Sequence, residues 1–242
     1  MSLTTAFRTI HSDTNWWKRV LVGGALMSTM FGYPFVAGFE VESLDNTRKG
    51  FPTPLPPWAD MGTRYIIGLF ATLIDFLYYF VPLFIAAFLL ICVGIASVIG
   101  GSTNLMTLYS SISQIVLVII IVGSFVFSVS PIGRLIYVDE GAPERAMSIE
   151  TIREGLRLAA LPTYLKARII SLPAYIPALI FGGLLVWVTP SGIPFSLIWI
   201  LLLIWLTCSA LVYAHLIVLQ IYAGAEQQLR ERGIERQPYD EE

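Results

Sequence analysis

The chain is poor in charge. Asp, Glu, Lys and Arg together make up 13% of its 242 residues, where a soluble domain carries about 25%. That deficit excludes an ordinary aqueous surface. Hydrophobic residues reach 56% and the mean hydropathy is +0.72, so the outer surface has to meet lipid, and the class is a polytopic membrane protein. No basic excess is present: the net charge is −2, which excludes an electrostatic nucleic-acid binder. Cysteine and histidine are scarce, two of each. Cys92 and Cys208 lie in apolar runs without metal-ligand spacing and read as small buried core residues, not as a disulfide framework. No HExxH zinc motif, P-loop or GxSxG elbow occurs, and no metal site is expected. The expectation is a protein without catalytic chemistry. The N-terminus has no small-residue cleavage site after a short apolar region, so it is expected to stay.

Long apolar runs are abundant. Five reach the roughly 20 residues that a helical span needs: Val20–Phe39, Tyr65–Ile99, Ser111–Val138, Leu165–Val188 and Phe195–Ala223. The first follows Trp16-Trp17-Lys18-Arg19, an aromatic and basic interfacial anchor. The second, as one helix, would reach roughly 50 Å and must tilt, kink at Pro82 or start as an interfacial helix. Asp60, Arg64 and Asp75 in its first part favour the interfacial start. The fourth and fifth, separated by Thr189-Pro190-Ser191-Gly192-Ile193-Pro194, form an antiparallel hairpin. The expected fold is all-α: a membrane bundle of about five hydrophobic segments, some proline-broken or re-entrant, plus interfacial amphipathic helices. The expected organisation is an N-terminal interfacial segment (1–19), one membrane-embedded domain (20–225) and a polar tail (226–242).

Ser148–Ala160 carries an amphipathic pattern. Ile149, Ile152, Leu156 and Ala159 recur at helical spacing, opposite Glu150, Arg153, Glu154 and Arg157. Ser148 is the N-cap and Pro162 the stop. Beside a bilayer such a helix lies in the interface plane; the alternative is a solvated linker helix.

Lys and Arg counts in short loops place the third connection and the C-terminus in the cytoplasm. Arg48, Lys49 and Arg64 place the first connection there too. Five full spans then put the N-terminus outside, against its own Arg8, Lys18 and Arg19. The conflict is resolved if the first run does not cross and folds back near Gly32-Tyr33-Pro34, or if the N-terminus is outside and the rule fails once. The first is preferred.

Few residues carry chemistry. Gly24, Ser28 and Gly32 form a small-residue stripe that lets helices approach closely. His215 is the one histidine in a predicted span. It suits ligation of a haem or chlorin metal, a bond to a quinone carbonyl or proton relay, and otherwise a neutral imidazole bonded to a neighbouring helix. Asp75 suits cation binding or a pair with Arg134 or Arg64, and otherwise reaches water at interface depth. Glu40 and Glu42 are expected at the membrane boundary. The linker "GFPTPLPPWADMG" (50–62) reads as a rigid elbow. Pro56 and Pro57, with Pro52 and Pro54, stop the first two runs from fusing. Trp58 anchors at the interface, and Asp60 favours the positive end of the next helix.

The order of "NWWKRVLVGG", "FGYPFVAG", "LPPWADMGTRYIIGLF", "SIETIREGLRLAALPTYLKARI" and "AHLIVLQIYAGA" resembles an uncharacterised family of bacterial and archaeal membrane proteins, domain of unknown function 4013, over roughly Asn15–Ala225. The resemblance implies no activity, substrate or cofactor. It makes His215, Gln220 and Tyr222 part of a family pattern, and it implies the bacterial cytoplasmic membrane as location. The functional expectation is a structural or accessory subunit packed against other membrane proteins in the lipid bilayer. The alternatives are a small-solute or lipid permease, with proline-broken helices shaping its site, and a cofactor- or quinone-binding electron-transfer subunit using His215.

Overall fold

The computed structural model describes residues 2–29, 31–99, 130–188 and 196–233, with side chains of the second long helix described through Tyr78 and at Phe88 and Cys92. Among the described residues every regular element is helical. In chain order these are α1 (Leu3–His11), α2 (Trp16–Met27), α3 (Tyr33–Arg48), α4 (Met61–Ile99), α5 (Ser130–Glu140), α6 (Pro143–Ala146), α7 (Ile149–Ala159), α8 (Pro162–Ser171), a 3-10 turn (Leu172–Tyr175), α9 (Ile176–Val188) and α10 (Ser196–Glu231). Two stretches are long and apolar enough to cross a bilayer by length and composition, Pro162–Leu185 and Leu197–Glu231. The bulk of the third apolar run, the Gly100–Ser110 loop, the Thr189–Pro194 turn and the tail beyond Gly233 lie outside the described residues.

The first apolar run is two helices, not one. The hydroxyls of Ser28 and Thr29 donate to the carbonyls of Ala25 and Leu26, each at 2.7 Å. They compete there with the helix's own amides. A Cβ on Gly32 would stand 1.7 Å from the Leu26 carbonyl oxygen, so the turn closes only around glycine. Pro34 then sits in the first turn of α3, where its missing N–H costs nothing. The two helices run in opposite directions along α10. The Trp16 ring lies 5.4 Å from Tyr213, and the Trp205 indole donates to the Leu21 carbonyl at 2.9 Å. On the way back, Glu40 stands beside His215, Thr47 meets Gln220 and Arg48 pairs with Glu226. The run folds back just before Tyr33, close to the Gly32-Tyr33-Pro34 position of the preferred resolution.

The small-residue stripe needs correction. Gly24 does form a seam: an added Cβ would lie 2.6 Å from the Ser209 Cα of α10. Ser28, however, is exposed at the end of α2, and Gly32 belongs to the turn. A second seam joins α3 and α4, which run antiparallel. A Cβ on Gly68 would meet the Pro34 carbonyl oxygen at 1.6 Å, and one on Gly38 the Arg64 carbonyl oxygen at 2.1 Å. Neither glycine stood out in sequence, because each seam takes its small residues from two distant segments.

The proline elbow is not a lipid anchor standing off the bundle. Pro54, Leu55 and Pro56 are buried, while Pro57 is exposed. The Trp58 indole donates to the Arg19 carbonyl at 2.9 Å and stacks on Phe39, ring centroids 4.5 Å apart. Arg64 lies over both rings and bonds Glu42. Asp60 adopts a left-handed φ of 47° just before α4, a conformation that Asp tolerates better than most residues. Arg64 and Glu40 are buried within the bundle, and the expectation of two buried cysteines gives way: Cys92 is exposed and Cys208 half-buried.

On α7 the Ser148 hydroxyl caps the Thr151 amide at 3.1 Å. Pro162 opens α8; α7 itself closes at Ala160. The small residues Thr151, Gly155 and Ala159 face the bundle, and Ile149 is 80% exposed with Leu156 beside it outside. The outer surfaces of α4, α8 and α9 are apolar as well: Ile66, Phe76, Ile169, Leu179 and Ile180 are all exposed.

Gly68→Ala is expected to drive α3 from α4 and cost about 1–3 kcal/mol. Gly62→Ala, where a Cβ meets nothing within 4 Å, is expected to be neutral or slightly stabilising. Thermal unfolding of the detergent-purified variants checks both.

Candidate functional site

The residues that carry chemistry converge at one place. Glu40 comes from α3, Asp75 from α4, Arg134 from α5 and His215 from α10. Arg134 is buried and its guanidinium spends most of its donors on carboxylates. Nε donates to Asp75 Oδ1 at 3.0 Å and Nη2 to Asp75 Oδ2 at 2.5 Å. Nη1 donates to Glu40 Oε2, and Nη2 also reaches the Tyr33 hydroxyl at 3.1 Å. The planar fork matches a carboxylate with two parallel bonds, which lysine cannot do.

Asp75 is saturated. Besides Arg134 it accepts from the Tyr33 hydroxyl at 2.8 Å and from the Ser130 hydroxyl. It is buried, so it does not reach water, and of the two arginines named for it, it pairs with Arg134. Glu40 is used only on one side. Its Oε1 lies 3.3 Å from His215 Nδ1, yet both atoms are buried without a hydrogen bond. The His215 side chain is 14% exposed, and the Tyr175 ring stands edge-on to it at 6.1 Å.

Two of the interruptions of the helical course deliver a side chain here. Tyr33 is the first residue of α3, directly after the fold-back. Tyr175 ends the 3-10 turn that Pro173 opens between α8 and α9. Pro173 has no amide to give to a continuous helix, so the turn follows from the sequence.

The predicted polar pattern on α10 splits. His215 joins the cluster. Gln220 lies further along and donates to Thr47 Oγ1 at 2.7 Å, its Oε1 buried without a partner. Tyr222 is buried and stacks on Tyr164 at 5.7 Å. Still further along, Arg48 pairs with Glu226 at 2.6 Å and Asp139 at 2.8 Å, and Arg230 holds Asp139 at 3.0 Å. Gly24 belongs to the α2–α10 seam, and Pro56, Pro57, Trp58 and Asp60 to the elbow; none of these reaches the cluster.

Chemically the cluster is two carboxylates, one permanent cation and one imidazole. Among the described residues no three His, Cys, Asp or Glu side chains gather as metal ligands. Tyr33, Glu40, Ser130 and Tyr175 went unnoticed as site residues. The one available signal was Tyr33 and Glu40 seven positions apart, on one face of a helix restarted at Gly32.

A family model described as protein of unknown function DUF4013 matches residues 21–187. The match is shorter than the resemblance over 15–225 and leaves the His215–Tyr222 element outside it. No curated protein and no solved structure matches.

Arg134→Ala would strand two buried carboxylates and is expected to cost about 3–5 kcal/mol. Tyr33→Phe removes one bond to Asp75 and one from Arg134 and is expected to cost about 1–3 kcal/mol. Denaturation midpoints of the purified variants check the order.

Proposed function

We propose, from the premise that the chain belongs to the DUF4013 family of unknown function, that it is an integral membrane protein of permease-like type. In this reading the charged cluster is the working site for a small solute. One observation carries it: the fold-back before Tyr33 and the 3-10 turn ending at Tyr175 both deliver a side chain to the same buried charged group. Broken helices that meet at buried polar groups are how transporters build sites inside a bilayer. Ionisable side chains are placed at such depth at a cost and usually for a use. The chemistry offered is polar recognition.

The topology that goes with it takes α4, α8–α9 and α10 as crossings, with the third apolar run counted as a fourth from its sequence alone. The α2–α3 pair is re-entrant. Four crossings leave both ends on one side, the cytoplasmic side by the Lys and Arg distribution, and α7 lies in the interface plane with Ile149 and Leu156 in lipid. The membrane is that of a bacterial cell.

A second reading, an accessory subunit packed on other membrane proteins, is favoured by the outer face of α8–α9. There Ile169, Ile176 and Leu179 are all more than half exposed and would suit a partner helix as well as lipid. Purification from native membranes separates the two. The permease reading expects a chain free of larger complexes whose unfolding temperature rises with one class in a solute panel, and loses that response in Asp75→Asn. Stable comigration with a larger complex and no solute response would sink it. For the topology, Ser2→Cys in a background without Cys92 and Cys208 is expected to resist membrane-impermeant maleimide in intact cells. Labelling there rejects the re-entrant arrangement.

A further inference from the structure

Two features of the cluster stand out when its charges and hydrogen bonds are accounted for together. The first is charge. Arg134 contributes one positive charge, Asp75 and Glu40 one negative charge each, and all three are buried. With a neutral imidazole the group holds one uncompensated negative charge, which a buried site tolerates poorly. The second is bonding. Asp75 accepts from Tyr33, Ser130 and twice from Arg134, so a proton on it would displace a donor. Glu40 Oε1 and His215 Nδ1 face one another at 3.3 Å with no hydrogen bond on either.

We propose that Glu40 and His215 together form a proton-binding site, holding one exchangeable proton between Glu40 Oε1 and His215 Nδ1. A proton there cancels the surplus charge and satisfies both atoms at once, whether written as imidazolium and carboxylate or as imidazole and carboxylic acid. A neutral imidazole with its hydrogen on Nδ1 would satisfy the atoms but leave the charge. The groups that face the pair are Arg134 from α5, Asp75 from α4, Tyr33 from the start of α3 and Tyr175 from the 3-10 turn. Of the other ion pairs on α3, Glu42 with Arg64 adjoins the elbow, and Asp45 with Lys49 and Arg48 with Asp139 and Glu226 lie at its C-terminal end.

The route for the proton is marked by further polar atoms. Glu40, Ser43 and Thr47 share one face of α3 by helical spacing. Ser43 Oγ and Gln220 Oε1 are both buried without a partner, and Gln220 bonds Thr47. Immediately beyond Thr47 begins the network of Arg48, Asp139, Glu226 and Arg230. Polar groups thus continue from that network to the proton site along the α3–α10 seam. In the proposed topology this is the cytoplasmic end. Use of the proton as a coupling ion rests on the permease reading; the site itself rests on the geometry above.

The test uses the full chain in lipid nanodiscs with His11→Gln, which leaves His215 as the one histidine. Infrared difference spectra against pH follow the imidazole and carboxyl bands. The expected result is a single titration in which the His215 and Glu40 bands change together. Glu40→Gln should move the His215 transition by about tenfold in proton concentration or more, and His215→Asn should move the Glu40 band likewise. Either variant suffices if the other fails to fold. Independent titrations, or a His215 transition unmoved by Glu40→Gln, overturn the proton site. Proteoliposomes loaded with a pH-sensitive dye add the second arm, read with the solute that stabilises the chain. Coupled titration without solute-driven acidification refutes the permease use and leaves the site standing.

Discussion

Arg134 is the interaction on which the bundle depends. Its guanidinium is the one positive charge among two buried carboxylates, and its bonds tie α5 to α4 through Asp75 and to α3 through Glu40. In a bilayer, apolar side chains are as content against lipid as against each other. Helix association there rests on close packing and polar bonds more than on hydrophobic burial. Alongside the buried apolar core, the bidentate pair and two further donor contacts join α3, α4 and α5. They also fix the register, because a guanidinium displaced by a helical turn would leave Asp75 and Glu40 without a counter-charge.

The glycine seams are the complement of that charge. Gly68 lets the Pro34 carbonyl approach α4, and Gly38 lets the backbone of Arg64 approach α3. Only at that distance does Tyr33, at the head of α3, reach Asp75 ten residues into α4's apolar run. Gly24 does the same for α2 and α10, which holds the return strand of the hairpin, α3, against the helix that carries His215. Packing and electrostatics are one arrangement: small residues bring the helices close, and closeness makes the buried bonds short enough to offset their desolvation.

The function proposed follows from where the irregular backbone sits. Among the described helices, two of the breaks, one at Gly32 and one at Pro173, each end in a tyrosine beside the cluster. A purely structural bundle has no need for both to fall at the same charged group. The proton site adds that the group is unevenly used: Asp75 is saturated by donors, whereas Glu40 keeps one oxygen for His215.

Much of the architecture could be read from composition and periodicity. The helical class, the elbow that separates two runs, the capped amphipathic helix and the fold-back near Gly32 all follow from local chemistry: apolar run length, proline's missing amide, a serine hydroxyl and glycine's lack of a Cβ. The family resemblance was also visible in ordered local landmarks. What the sequence could not express was which side of each helix meets which neighbour. Glu40 read as a boundary residue because it ends an apolar run, and Trp58 as a lipid anchor because tryptophan favours interfaces; both point inward, to Arg134 and to Phe39. Burial and ion pairing between residues as many as 178 positions apart depend on how helices pack, and only the tertiary structure decides that. The sequence by itself determined that the chain is helical and apolar and that it breaks near Gly32 and at the elbow, while α4 runs through Pro82 without a break. The fold decided that two of the breaks, one arginine, two carboxylates and one histidine share a single site.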